Sequence, residues 1–440
     1  MTRRKLVESL NYQGSGRPVL IDGLRTPFVK SFGVYNDADA LELFSRTVDG
    51  LIRKTGIDPF ELDEVIAGVV VPQTKNGNLA RDAVINLGLP THIHGYTLNR
   101  ACTSGLQTIT DAARSIQCGN ANMVVAGGAE CLSDVPIVYS KKARQFLTKL
   151  SRAKSPADKL KMLADFDVKS WLPQAPGLTE PMTGLTMGQH AEAMAQKNGV
   201  ARSSQDEFAM RSHKLASAAM SSGKFEQEIF PMFPSPRFDP IKEDNLARSD
   251  TTMEALAKLK PAFDRQYGTI TAGNASPMTD GAAVTLIADE ARAKSLGLIP
   301  KARIVDSVFL AIDPYEQLLI GPALAIPYIL KKNKLKLSDI DLIEIHEAFA
   351  AQVLSCLEAM RSNDFNQRYF GENAFGEIPL EKLNVNGGAI AIGHPFGATG
   401  GRLVTTLANE LQRRQARWGL IAVCAAGAMA GAMLIENCGQ

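Results

Sequence analysis

The feature that most constrains this sequence is that two widely separated stretches follow one plan. In the first, VLIDGLRTPF reads as a strand, DALELFSRTVDGLIRKTG as a helix and LDEVIAGVVVPQ as a strand. LNRACTSGLQTITDAARSIQCG follows as a helix and NMVVAGGAE as a buried strand. The second stretch repeats the rhythm with ARIVDSVFLAID, PALAIPYILKKNKL, DIDLIEIHEAFA, GATGGRLVTTLANELQRR and WGLIAVCAAGAMAGAMLIE, the last as a pair of strands. Continuous apolar runs alternating with helices build sheets covered on both faces. The expected fold class is therefore α/β, with two similar βαβ-rich halves packed together.

Between the halves the texture changes. Proline clusters (PQAPGLTEP, FPMFPSPRFDP), charge runs and an isolated helical pattern, SQDEFAMRSHKLASAAMSSG, replace the strand–helix alternation. GTITAGNASPMTDGAAVTLIAD then reads as a return to the first half, with the turn residues of a tight loop ahead of a helix or strand. The expected organisation is a discontinuous N-terminal domain (1–131 plus 266–290), a mainly helical inserted loop domain (132–265) and a C-terminal domain (291–440).

Bulk properties narrow the function classes. At 440 residues, 45% hydrophobic and 21% charged, the chain has enough apolar material for two or three cores. Its formal charge of +2 supplies no field that favours nucleic acid. No apolar run reaches the ~18 residues of a membrane span, and the N-terminus lacks the apolar core of a signal peptide. The expected location is the cytoplasm, with a short basic leader and hence a mitochondrial location as the alternative. Six cysteines (102, 118, 131, 356, 424, 438) without a C-x-x-C pair fit reduced thiols. Zinc is disfavoured, since HIH at 92–94 has no nearby partners and HEAFA at 346–350 lacks the second histidine of H-E-x-x-H.

Four residues fall where chemistry gathers in such folds. Cys102 precedes an amphipathic helix, where free N–H groups and the dipole favour a thiolate. Thr103 and Ser104 are the expected cap, and Gly105 permits close backbone approach. His346 and Cys424 each follow an apolar strand, and His394 lies in the glycine-rich run NVNGGAIAIGHPFGATGG ahead of a helix. Taken one at a time, each is more often a core residue than a catalytic one. The internal repeat gives Cys102 and His394 the same place in the two halves, so that pseudo-twofold packing would bring a thiol and a base together. A thiol with a pKa of ~8.5 needs such a base at neutral pH.

NRACTSGLQ, GLTMGQHAEAMA, SSQDEFAMRSHKLA, TAGNASPMTDGAA, HEAFAAQ, NVNGGAIAIGHPFGATGGR and CAAGAMAGA together resemble the thiolase family, from about residue 17 to the end. The resemblance implies tandem thiolase-like halves in five layers, with the insertion covering the active site and holding coenzyme A. It implies thiolysis of a 3-oxoacyl-CoA. Cys102 is then the nucleophile, His394 its base, Cys424 the second acid–base group, and His346 places a donor at the thioester carbonyl. The backbone N–H groups of Cys102 and Ala426 are the expected oxyanion donors, Met187 would line the acyl and pantetheine channel, and Ser276 would bond coenzyme A. Coenzyme A is a substrate, and no cofactor or metal is implied.

Two departures stand out: His346 where many thiolases carry asparagine, and Cys424-Ala425-Ala426-Gly427-Ala428 where many read C-x-G-G-G. Both are similar to β-subunits of trifunctional fatty-acid oxidation complexes, which implies degradation and a possible α-subunit carrying hydratase and dehydrogenase activities. The alanines raise a question about the oxyanion loop, because alanine tolerates positive φ poorly. A homodimer or dimer of dimers is expected by the same resemblance. Residues 141–161, with eight basic residues and one acidic, read either as a surface for phosphates, anionic lipid or a partner, or as a solvated helix face. The competing functions are acetoacetyl-CoA synthesis, another Claisen-type condensation, and a non-catalytic lipid-binding or scaffold role.

Overall fold

The computed structural model describes residues 14–164, 171–172, 177 and 179–439. Among the described residues ten strands carry the fold: β1 (Pro18–Arg25), β2 (Val29–Lys30), β3 (Glu64–Gly68), β4 (His94–Leu98), β5 (Met123–Glu130), β6 (Thr279–Asp289), β7 (Ala302–Ala311), β8 (Leu342–Ile345), β9 (Trp418–Ala425) and β10 (Met429–Asn437). Their order is β4-β3-β5-β6-β1-β7-β10-β9-β8, with β2 paired to β6 off this path.

The repeat is visible in the pairing. β3 runs parallel to β5, β5 antiparallel to β6, and β6 antiparallel to β1. In the second half β8 runs parallel to β9, β9 antiparallel to β10, and β10 antiparallel to β7. Each half thus places a parallel pairing beside antiparallel ones, and the first half adds β4, parallel to β3, at its edge. The halves meet where Val19 and Leu20 of β1 pair with Arg303 and Ala302 of β7.

Alternate residues of each strand face different layers, as the period of two requires. Met123 and Val125 join Leu43, Phe44, Val48 and Leu51 of the outer helix Ala40–Thr55. Val124 and Ala126 turn instead to a central cluster with Leu106 and Ile109 of the helix Ser104–Gln117, and with Leu403, Val404 and Leu407 of the helix Thr399–Arg414. Ile421, Val423 and Met433 reach that cluster from the other half. Leu420, Ala422 and Leu434 face outward to the helices Pro322–Lys332 and Ala350–Arg361. Five layers result: helix, sheet, a central helix pair, sheet, helix.

The central pair is close because each helix carries glycine as its second residue, Gly105 in one and Gly400 in the other. A Cβ on Gly400 would stand 2.1 Å from the Leu106 nitrogen, and one on Gly105 would stand 2.6 Å from the Gly397 oxygen. Any side chain there would separate the two helix entrances.

The stretch between β5 and β6 holds the helices Lys141–Arg152, Pro156–Ala164, Met187–Lys197, Arg202–Ser221 and Met253–Ala257. On the first of these the basic residues are exposed, while Phe146 and Leu150 are half-buried. The basic leader considered for targeting falls largely on residues 1–13, outside the described residues. Strand β4 escaped the sequence reading: it is a five-residue edge strand with no fully buried position, so it lacks the apolar run that marks the others.

Candidate active site

Cys102 sits in a tight loop at the entrance of the Ser104–Gln117 helix. The expected capping by Thr103 and Ser104 does not occur. Thr103 is the N-cap residue but its side chain makes no cap bond. Instead the Thr103 hydroxyl donates to the Arg100 carbonyl (2.7 Å) and the Ser104 hydroxyl donates to the Ala101 carbonyl (2.7 Å) while accepting from the Arg100 N–H (2.8 Å). The hydroxyls fasten the loop, with Ala101 at φ 46°, and the first-turn N–H groups stay free of side-chain acceptors.

The Cys102 thiol is also not the thiolate that a helix entrance alone suggests. Its own N–H and that of Ala426 donate towards the sulfur, but burial outweighs them and pushes the thiol up to about 11. The dipole and donors lower a barrier that desolvation has raised.

His394 is held by Thr399, whose Oγ1 is 2.6 Å from Nδ1. The same hydroxyl donates to the Pro395 carbonyl at 3.0 Å. With its one proton committed, the Thr399 oxygen accepts, which places the imidazole proton on Nδ1 and leaves Nε2 with a free lone pair. Among the described residues, Nε2 has no hydrogen-bond partner. Burial, aided by the Arg402 cation, lowers this imidazole to about 3, so it rests neutral.

His346 packs against His394, with ring centroids 4.0 Å apart and planes at 49°. Its backbone N–H bonds the Ala422 carbonyl of β9 (2.9 Å), which fixes it beside the strand that carries Cys424. Both its ring nitrogens are buried without partners among the described residues, and burial, His394 and Arg402 hold it well below the usual histidine range. Cys424 is buried near the end of β9. Its thiol is pushed well above the usual range, first by burial and next by the proximity of Cys102. The two sulfurs, over three hundred residues apart in sequence, are therefore near enough to act on each other.

The remaining expected residues surround this centre. Ser276 is half-buried and its N–H bonds the Ala348 carbonyl (3.0 Å). Its neighbours Ala275 and Met278 form bridges to Phe349 and His394, so the segment runs between the two histidine loops. Met187 packs against the cluster containing Cys424, Ala348 and Phe349. In the turn after Cys424 the positive φ values fall on Gly427 (75°) and Ala428 (53°). Ala426, whose N–H is the one that faces Cys102, stays outside that region.

Glu130, Glu347 and Arg402 are buried charged residues that were not foreseen. Glu130, at the end of β5, accepts from the N–H groups of Val70 (3.1 Å), Val71 (2.8 Å) and Gly397 (3.0 Å), tying the loop after β3 to the His394 loop. Burial pushes its carboxyl up to about 7. Glu347 accepts from Ser212 (2.6 Å), Asn384 (2.7 Å) and the Ile390 N–H (3.3 Å), which anchors the His346 loop to the inserted segment. Arg402 is fully buried, with Nη1 3.5 Å from a Glu344 carboxylate oxygen, and no guanidinium nitrogen has a hydrogen bond among the described residues. A charged residue closing an apolar strand, as Glu130 closes NMVVAGGAE, is the sequence signal that marks such a position.

The histidines at 92 and 94 do not converge on a metal. His92 meets the Leu62 carbonyl at 3.1 Å and His94 meets Glu64 at 3.2 Å. Among the described residues no group of three or more His, Cys, Asp or Glu side chains is arranged to hold a metal ion, and no helix is long and apolar enough to cross a membrane.

Two family models match nearly end to end: the thiolase N-terminal domain over residues 18–291 and the thiolase C-terminal domain over residues 298–437. The chain belongs to the thiolase family. Relatives named 3-ketoacyl-CoA thiolase include one from Pectobacterium carotovorum, 42% identical over 421 residues and covering 96% of each chain. One from Yersinia enterocolitica is 40% identical over 421 residues, covering 96% of this chain and 97% of the relative. The thiolase fold is also that of human mitochondrial 3-ketoacyl-CoA thiolase, which superposes with a TM-score of 0.81 at 30% identity over 96% of this chain and 99% of that one. Bacillus anthracis acetyl-CoA acetyltransferase superposes with a TM-score of 0.82 at 34% identity, over 97% and 100% of the two chains.

Proposed function

We propose that this thiolase cleaves 3-oxoacyl-CoA with coenzyme A to give acetyl-CoA and a shortened acyl-CoA, as the last step of fatty-acid β-oxidation. The observation that carries this reading is that the Ala426 N–H and Cys424 both adjoin the Cys102 sulfur, while the tilted His346–His394 ring pair is tied by the His346 N–H to β9, the strand that carries Cys424.

The steps follow from the tautomer and the donors. His394 Nε2 takes the Cys102 thiol proton as the sulfur attacks the 3-oxo carbonyl. The resting pair is neutral, so substrate approach, not a standing ion pair, generates the nucleophile. The new oxyanion meets the N–H groups of Cys102 and Ala426, the loss of one such donor commonly costing ~10²–10³ in rate. As the Cα–Cβ bond breaks, its electron pair passes to the thioester oxygen of the departing acetyl-CoA enolate. That oxygen faces the newly protonated Nε2 of His394 and a donor placed by His346. The Cys424 thiol protonates the enolate carbon. Its thiolate then takes the proton of the incoming coenzyme A, whose sulfur displaces Cys102 from the acyl thioester, and His394 returns the proton to Cys102.

Met187 lines the acyl and pantetheine channel and Ser276 bonds coenzyme A in this reading, with the segments 1–131 plus 266–290, 132–265 and 291–440 acting as three domains. His346 favours the degradative direction over acetoacetyl-CoA synthesis. A homodimer or dimer of dimers in the cytoplasm, open to an α-subunit with hydratase and dehydrogenase activities, completes it.

The test is coenzyme A-dependent thiolysis of 3-oxoacyl-CoA substrates of graded chain length, with Cys102→Ala and Cys424→Ala variants. Both variants should lose turnover, while only Cys424→Ala still yields one acyl group per site by mass spectrometry. An unaltered rate in either variant removes the role assigned to it, and condensation from an acyl carrier protein without thiolysis overturns the function.

A further inference from the structure

The turn that follows Cys424 is short and takes two left-handed residues in succession, Gly427 (φ 75°) and Ala428 (φ 53°). Such a turn is not held by its own chain preferences, because an alanine in this region is disfavoured by ~1–2 kcal/mol. Two bonds from elsewhere fasten it. The Ile312 N–H donates to the Ala428 carbonyl (2.8 Å), and the Gly427 N–H donates to Oε2 of Glu180 (2.8 Å). The first comes from the turn's own half of the molecule. The second comes from the segment inserted between β5 and β6.

Glu180 is itself firmly placed. It is 6% exposed. Its N–H donates to the Leu185 carbonyl and its carbonyl accepts from the Gly184 N–H, each at 2.8 Å, closing a loop whose ends bridge at Thr179 and Thr186. Thr183 in that loop meets Nε2 of the buried His190 at 2.7 Å. Thr186 then caps the helix Met187–Lys197 through a reciprocal bond with Gln189. The carboxylate is therefore carried on a braced platform and reaches across to one amide of the catalytic turn.

That amide belongs to the peptide joining Ala426 to Gly427. Fixing it sets the orientation of Ala426, whose own N–H faces the Cys102 sulfur. We propose that Glu180 is a positioning residue which makes the Ala426 donor competent only while the inserted segment is seated on the C-terminal half. The inference rests on the thiolase reading of Cys102 and Ala426 and adds to it the residue that connects the inserted segment to the oxyanion donor. The work is done by an acceptor oxygen at the right distance, not by negative charge, which would oppose an oxyanion nearby.

The test compares the full-length wild type with Glu180→Ala, Glu180→Asp and Glu180→Gln. Readouts are kcat and KM for thiolysis and, separately, the rate of Cys102 alkylation by iodoacetamide against pH, followed on the Cys102 peptide by mass spectrometry. The Ala variant, and the Asp variant whose shorter stem does not reach Gly427, should lose at least tenfold in kcat with KM changed by less than about threefold. In both, the Cys102 alkylation midpoint should move to higher pH. The Gln variant, which keeps an oxygen acceptor, should stay within about threefold of wild type on both measures. A Glu180→Ala kcat within twofold of wild type, or a Gln variant as slow as the Ala variant, overturns the inference. A wild type that lacks thiolysis would instead fault the assigned reaction, and the alkylation profile would still decide whether Glu180 sets the Ala426 amide. If the Ala variant does not fold, the Asp and Gln pair carries the same decision.

Discussion

The two halves share a sheet plan but treat the same connection in opposite ways. In the first half the link from β5 to β6 spans residues 131–278 and carries the inserted helices, whereas its counterpart from β9 to β10 is the turn Ala426–Ala428. The expanded connection supplies buttresses, among them Ser212 for Glu347 and Glu180 for Gly427. The contracted one supplies an amide aimed at the Cys102 sulfur. A parallel contrast marks the central helices. Cys102 is two residues from the start of its helix, while His394 is separated from Thr399 by the loop Pro395–Ala398, long enough for Thr399 to reach back to the imidazole. The repeat provides two similar helix entrances, and in the proposed reaction different loops give one a nucleophile and the other a base.

The largest effect that sharpens this contrast should come from the base. His394→Asn removes the Nε2 lone pair that the proposed mechanism assigns to the Cys102 proton, and kcat/KM for thiolysis should fall by on the order of 10³ with the fold intact by circular dichroism. A fall of less than tenfold would break the assignment of different roles to the two entrances.

Next comes the contact between the entrances themselves. Gly400→Val puts a side chain where even a Cβ would stand 2.1 Å from the Leu106 nitrogen. Overpacking of this kind destabilises by ~1–3 kcal/mol, or more against backbone. Urea unfolding should show a lowered midpoint, and thiolysis should drop further than the loss of folded protein explains.

The buried carboxyl that joins the halves should respond to pH. Glu130 has its pKa raised from 4.5 to about 7, so between those values the folded protein holds a proton that the unfolded chain has released. Its contribution to stability is therefore largest below 4.5 and declines as pH rises through that window. Glu130→Gln should flatten that part of the melting-temperature profile. In activity the sign is opposite: the ionised form accepts all three N–H bonds to best effect, so wild-type kcat should rise through about pH 7 and the variant should lack that step.

The smallest effect should fall on the turn. Ala428→Gly relieves the left-handed alanine, partly offset by added freedom in the unfolded chain, for a net gain of up to ~1 kcal/mol. Denaturation would register it, with thiolysis changed by less than twofold.

The apolar runs and helical periods were legible because each long strand and helix repeats a burial pattern along itself. That is why β5, β9 and the helix Thr399–Arg414 could be read directly, and why the half-exposed β4 could not. The site residues with reactive side chains, Cys102, His346, His394 and Cys424, stand out at strand ends and glycine-rich loops. Glu180 carries no comparable signal: it lies in a proline-rich stretch, and its partner is 247 residues away. Sequence also pointed the wrong way on Cys102, since a helix entrance lowers a thiol's pKa while desolvation by the surrounding layers, which no local pattern reveals, raises it to about 11.

The chain by itself determined the alternation of elements, the duplication and the chemical identities of the reacting groups, because these are set by local periodicity and side-chain type. Tertiary structure alone decided the charge states, the tautomer of His394 and the aim of the Ala426 amide. Each of those depends on desolvation or on a partner hundreds of residues distant, and such energies exist only once the layers have closed around the centre.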